Sequence, residues 1–120
     1  MDNKVKLTDG DGGKETSLLI DRIFYKYFNN NLLVNSLDAC VFEVEKGKLA
    51  FTTDSFVVKP LVFSGGDIGK LAICGTLNDL VVSGAKPLYL SCGVIIEEGF
   101  DMDLLENIAK SMGIFVIKQA

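Results

Sequence analysis

The chain has 120 residues, of which 48% are hydrophobic and 23% charged, with twelve glycines and a net charge of −4. That length suits one domain able to bury roughly two thirds of its unfolded surface, and the composition is that of a globular protein, not a disordered or fibrous one. The lysines and arginines are scattered without a basic stripe, which excludes nucleic acid as the main partner. No apolar run reaches the roughly 20 residues that span a bilayer, and the opening MDNKVKLTDGDGG lacks the apolar core of a signal peptide, so the expected setting is cytoplasmic with no membrane partner.

Residues 7–14, LTDGDGGK, form a glycine-rich loop in which Gly10, Gly12 and Gly13 lie ahead of a helix. Such a loop can turn amide N–H groups toward an anion, with the helix N-terminus adding a favourable dipole. It lacks the Walker A spacing and the later ligands of a calcium loop, and an ordinary surface arm is the plainer reading. In residues 16–30, Leu19, Ile20, Ile23, Phe24, Tyr27 and Phe28 recur at helical spacing. This predicts an amphipathic helix whose aromatic stripe packs in the core and which residues 29–31 break.

Residues 39–44 and 49–53 are β-prone runs joined by EKGK, which predicts a hairpin that carries Asp54 out at its end. Lys59 and Pro60 speak against a central strand there, and the Gly65-Gly66 turn leads into a helix over residues 67–82 that GAKP ends. Residues 88–96 form a continuous apolar run, the pattern of a strand buried on both faces or covered by a partner. Asp101 is placed to cap a helix through Leu104, Leu105, Ile108, Ala109 and Met112, with Gly113 as its stop and residues 114–117 as a last strand. The element order predicts an α+β fold, a mostly antiparallel sheet with helices on one face. The open apolar face would need a second domain or a second copy of the chain to cover it.

Cys40, Cys74 and Cys92 are odd in number, widely spaced and set in apolar runs, which predicts reduced core residues and neither a disulfide framework nor a zinc site. The chain has no histidine, which removes the Ser-His and Cys-His nucleophilic arrangements. Catalysis would have to rest on carboxylates, lysines, a metal or the substrate's own reactivity, and no side chain is assigned a catalytic role.

Chemistry is expected in residues 51–99, where acidic side chains punctuate apolar segments. Asp54 closes a strand, Asp67 follows the glycine pair at a helix start, and Asn78 with Asp79 interrupt that helix although both types are mediocre helix formers. Magnesium is held by one or two carboxylates together with substrate phosphates, so carboxylates gathered in this segment suggest a divalent cation and a phosphate-bearing ligand. In the plainer reading Asp67 caps the helix, Asp54 ends the strand, and Asn78 and Asp79 lie on a solvated face.

The ordered series FTTDS, GGDIGKLAICGTLND, VSGAKP and YLSCGVIIEEG resembles the E-type hydrogenase maturation proteins (HypE), of the aminoimidazole ribonucleotide synthetase superfamily, from about residue 7 to residue 111. The resemblance implies that residues 1–120 are the N-terminal ATP-binding domain, ending ahead of the family's C-terminal domain, with ATP and Mg2+ as cofactors. It implies metal-site carboxylates at Asp54 and Asp79, with Asp67 and Asn78 at or next to the same site. Gly10, Gly12, Gly13 and Lys14 would close over the phosphates, and Lys70 is a further candidate phosphate contact. The family dehydrates a carbamoyl group on its own C-terminal cysteine to a thiocyanate, the source of cyanide ligands for nickel-iron hydrogenases. Its N-terminal domains pair through their sheets into a homodimer, and its partners are a carbamoyltransferase and an iron-carrying scaffold.

This chain departs from the pattern at Asp9 and Asp11, where the family's loop reads His-Gly-Ser-Gly-Gly, and it ends without the family's Gly-Asp-Thr-Lys motif and reactive terminal cysteine. The expectation is a partial ATP-magnesium site that is inactive alone. The alternative is a noncatalytic dimerisation module or degenerate fragment that binds no nucleotide. Selenophosphate synthetase and thiamine monophosphate kinase, of the same superfamily, are less similar through GGDIGKLAICGT.

Overall fold

A computed structural model of the chain describes residues 3–28, 30 and 39–119. The helical spacing ahead of residue 30 produces α1 (Lys14–Leu19), a π-helical stretch (Ile20–Phe24) and α2 (Tyr25–Phe28), which follow one another without a break. The predicted apolar stripe faces inward. Leu19 and Ile23 are buried in a cluster with Val5, Met102, Leu105 and Ala109, and Phe24 and Tyr27 pack against it. Phe28 belongs to a second cluster with Ile73, Leu77, Met112 and Ile108. The break expected at residues 29–31 falls, but for Asn30, outside the described residues.

Strands β1 (Val62–Phe63) and β2 (Gly66–Asp67) pair antiparallel around the Gly65 turn, where the backbone takes a positive φ of 95°. Asp67 then caps α3 (Ile68–Val82), its carboxylate accepting the Lys70 N–H at 2.9 Å. This is the predicted helix to within a residue. Asp101 caps α4 (Met102–Gln119) in the same way, accepting the Leu104 N–H at 3.1 Å.

Just ahead of α4 the chain closes on its own beginning. Lys4 bridges antiparallel to Asp101, the Val5 N–H donates to the Phe100 carbonyl at 2.8 Å, and the Gly99 N–H donates back to the Val5 carbonyl at 2.7 Å. The Met102 N–H reaches the Asn3 carbonyl at 2.9 Å, and Val5 is buried between them.

The helix stop expected at Gly113 and the strand expected at residues 114–117 are both corrected: α4 runs through them to Gln119. Glycine serves there as a point of close approach, because a Cβ on Gly113 would stand 2.6 Å from the Tyr27 carbonyl oxygen. The same holds for α3 at Gly69, where a Cβ would lie 2.7 Å from the Ile108 carbonyl oxygen. Beside these contacts Glu106 ties α4 to α2, accepting from Lys26 Nζ at 3.0 Å and from the Tyr27 hydroxyl at 2.9 Å. The Lys26 ammonium, followed by the Tyr27 hydroxyl, holds the Glu106 carboxyl below the usual carboxylate range, and Glu106 holds Lys26 above its own.

The fold is α+β, with helices and a small antiparallel sheet. The strands predicted over residues 39–44, 49–53 and 88–96 are corrected in one respect, since none of them joins a ladder among the described residues. A strand exists only against a partner backbone, and among the described residues these segments are paired with none. They still gather on one side. The Phe42 and Tyr89 rings lie 4.3 Å apart, and Phe56 rests on α3, where a Cβ on Gly75 would stand 2.7 Å from its ring.

Of the two alternatives for residues 88–96, burial on both faces within the chain is absent: Ile96 packs half-buried against the core, but the rest of the run is exposed, Ile95 fully, and Phe51 at 88% and Val57 at 91% are exposed as well. For the same reason the cysteines are free but not core residues, with Cys40 and Cys92 exposed on the unpaired segments and Cys74 half-buried on α3. The radius of gyration, 15.4 Å, exceeds the roughly 13.6 Å of a compact domain of this length. Among the described residues no helix is long and apolar enough to cross a membrane.

The glycine contacts generate a test. Gly113→Ala should gain up to about 1 kcal/mol of helix propensity yet lose about 1–3 kcal/mol to the collision with the Tyr27 carbonyl, a net loss visible as a lower thermal midpoint. A midpoint that rises would show that α4 and α2 do not meet at Gly113.

Candidate functional site

Segment 50–55 lies along the second half of α3, and between them are two adjoining concavities of about 400 and 280 Å3 that share Ala50, Phe51, Thr52 and Leu80. Asp79 borders the first and Asp54 the second, so each of the two carboxylates expected to hold a metal lines one of the adjoining concavities. Both are exposed and open to a ligand. Asp54 accepts the N–H of its neighbour Ser55 at 3.1 Å, which orients the carboxylate.

Residues 89–93 form the second wall, contributing Tyr89 and Ser91, and Thr76 lies one turn before Asp79 on the same helix. The lining is therefore rich in hydroxyls as well as carboxylates, through Thr52, Thr53, Ser55, Thr76 and Ser91. Sequence reasoning missed these. The i, i+3 relation of Thr76 to Asp79 and the run TTDS were the available signals. Asn78 is exposed on the same turn of α3 and lines neither concavity.

Asp67 and Lys70 lie at the opposite end of α3. Asp67 Oδ1 accepts the Lys70 N–H at 2.9 Å and the Ser111 hydroxyl at 3.0 Å, and the Lys70 ammonium donates to the Gly65 carbonyl at 2.9 Å. The plainer reading of Asp67 as a helix cap therefore describes its geometry.

Around Gly10, Gly12, Gly13 and Lys14 the added carboxylates bind the loop to itself. Asp9 accepts the Lys6 N–H at 2.8 Å and Asp11 accepts the Gly13 N–H at 2.9 Å. The Gly12 N–H donates to Thr16 Oγ1 at 3.0 Å, and the Thr8 hydroxyl donates to Glu15. These bonds close within residues 6–16, and Lys14 stands exposed at the first position of α1.

Among the described residues no three histidine, cysteine or acidic side chains converge as a complete metal cage. Two carboxylates amid hydroxyls nonetheless fit magnesium, which dehydrates reluctantly and takes most of its other ligands from phosphates and water. The residues present fit that ion only together with a phosphate ligand. They do not fit zinc, for which nitrogen and sulfur donors are usual.

A model of the family described as AIR synthase related protein, N-terminal domain, matches residues 36–116, and the chain belongs to that family. Within it the chain is similar to proteins named carbamoyl dehydratase HypE. It is 49% identical over 109 residues to the one from Bradyrhizobium diazoefficiens, covering 91% of this chain and 32% of that protein. It is 48% identical over 115 residues to the one from Escherichia coli, covering 92% of this chain and 34% of the relative. It also superposes on a crystal structure of the hydrogenase maturation protein HypE in complex with ATP, with a TM-score of 0.91 and 46% identity over 95% of this chain and 34% of the other. The chain thus spans about a third of the length of the curated relatives it matches.

Proposed function

We propose that the chain is the nucleotide-binding part of a HypE-type carbamoyl dehydratase and that it binds ATP with magnesium between segment 50–55 and α3. The observation that carries this reading is the likeness, at 46% identity, to a HypE crystallised with ATP. The position of Asp79 and Asp54 on two concavities that share Ala50, Phe51, Thr52 and Leu80 supports it. Asp54 and Asp79 would hold the cation, and the threonine and serine hydroxyls beside them would donate to phosphate oxygens. Bound magnesium would offset the charge of the phosphates and orient them. Asn78 on the same turn, and the loop of Gly10, Gly12, Gly13 and Lys14, would join this site when nucleotide is present, with the cation offsetting Asp9 and Asp11.

In the whole protein this site would serve the ATP-dependent dehydration of a carbamoylated cysteine to a thiocyanate, in concert with a carbamoyltransferase and an iron-carrying scaffold, in the cytoplasm. The 120 residues alone would bind nucleotide without completing that reaction.

Two copies of the chain would pair through segments 39–58 and 88–96. The chain exposes 9331 Å2, against the roughly 6,300 Å2 expected for a folded monomer of its mass, and lasting homodimers bury about 1,000–2,500 Å2 of each partner, so a second copy would cover part of the excess of about 3,000 Å2. Unpaired backbone along these segments would find its missing ladder in the second copy.

Two experiments test these statements. Calorimetric titration of chain of known oligomeric state should show ATP binding that requires magnesium, and Asp79→Asn should weaken it at least tenfold, about 1.4 kcal/mol. An unchanged titration would remove Asp79 from the metal role, and no binding by the folded wild type would leave a pairing module without nucleotide. Ile95→Glu, which costs a monomer nothing because Ile95 is fully exposed, should convert a sedimenting dimer to monomer. A dimer that persists would place the pairing elsewhere.

A further inference from the structure

The structure assigns Asp67 a positioning role: through one carboxylate oxygen it pins the first turn of α3 to Ser111 of α4, and so sets where α3 presents Asp79 to Asp54. This inference rests on the magnesium-ATP reading of the site at the other end of that helix.

Asp67 Oδ1 accepts two hydrogen bonds of different kinds. The Lys70 N–H, at 2.9 Å, is the bond of any capped helix and fixes Asp67 only to its own turn. The Ser111 hydroxyl, at 3.0 Å, reaches it from 44 residues away in sequence and fixes that turn along the length of α4. Beneath the same oxygen lies Gly69. A Cβ on it would stand 2.7 Å from the Ile108 carbonyl oxygen, 2.8 Å from Met112 Cγ and 3.1 Å from Asp67 Oδ1. The polar tie and the closest approach of the two helices therefore coincide, and α3 cannot slide or turn on α4 without losing one or the other.

From this anchor α3 runs twelve residues to Asp79, about 18 Å at 1.5 Å per residue. A displaced first turn is carried along the helix to the carboxylate that borders the concavity. A misplacement of about 1 Å can cost a binding or reacting geometry a hundredfold.

Four variants separate this role from its rivals, because an Asn side chain keeps the accepting oxygen and an Ala does not. Each is titrated with ATP, with and without magnesium, well below its thermal midpoint. Asp67→Ala, Ser111→Ala and Gly69→Ala should each weaken magnesium-dependent ATP binding about tenfold, while Asp67→Asn stays within about threefold of wild type. If Asp67→Asn is as weak as Asp67→Ala while Ser111→Ala binds normally, the carboxylate itself is a ligand and the positioning role is wrong. If all four bind as wild type and merely melt earlier, the tie only stabilises the fold and the inference is again wrong.

A wild-type chain that binds no magnesium-ATP sinks the nucleotide reading instead. The tie is then judged by amide hydrogen exchange over residues 76–80. Faster exchange in Asp67→Ala and Ser111→Ala, but not in Asp67→Asn, supports it, and equal exchange in all of them overturns it.

Discussion

Backbone meets backbone where α4 crosses α3 and α2, and only a residue without a side chain can stand between. Gly69 sits under the Ile108 carbonyl and Gly113 under that of Tyr27. This closeness lets Leu105 and the fully buried Ala109 reach Leu19 and Ile23 on one side of α4, and Met112 reach Ile73 and Leu77 on the other. Interiors are packed as densely as organic crystals, so the spacing set by the glycines determines which side chains fit around them. Polar ties then lock the arrangement at its margins, Glu106 with Lys26 and Tyr27, and Asp67 with Ser111. The helices form a scaffold without the larger sheet, and segment 50–58 leans on α3 from outside.

Much of this scaffold could be read in the sequence. Helical spacing found the inward stripe from Leu19 to Phe28, and the local chemistry of Asp67 and Asp101 located both helix starts, because capping depends on residues three apart. Gly113 misled for a definite reason. A glycine costs about 1 kcal/mol inside a helix, so it reads as a stop until the Tyr27 carbonyl that requires it is known. The apolar runs over residues 39–53 and 88–96 misled in another way. β-propensity describes a side chain that suits a pleated, half-buried surface, but it carries no information about whose backbone supplies the other half.

The site was partly legible too. Asp54 and Asp79 stand out as acidic interruptions of apolar runs, and they do border adjoining concavities. Asp67 stands out by the same rule, yet twelve residue steps along α3 separate it from Asp79. Nearness in sequence concealed a length of about 18 Å. Ser111 could not have been paired with Asp67 by any spacing rule, because that contact exists only once α3 lies on α4. Asp9 and Asp11, where the chain departs from the family's loop, accept the loop's own amide hydrogens.

The antiparallel tie between residues 3–5 and 99–102 joins stretches made at very different moments. At the usual pace of translation, about 5–20 residues per second, Phe100 is added roughly 5–20 s after Val5. Through that interval residues 3–5 lack the backbone partners they have in the fold, and α1 and α2 have no α4 to lie against. Residues 3–5 therefore settle only after residues 99–102 are made, and a chain stalled short of residue 99 would leave Val5, Leu19 and Ile23 bare to whatever chaperone stands at the exit of the ribosome.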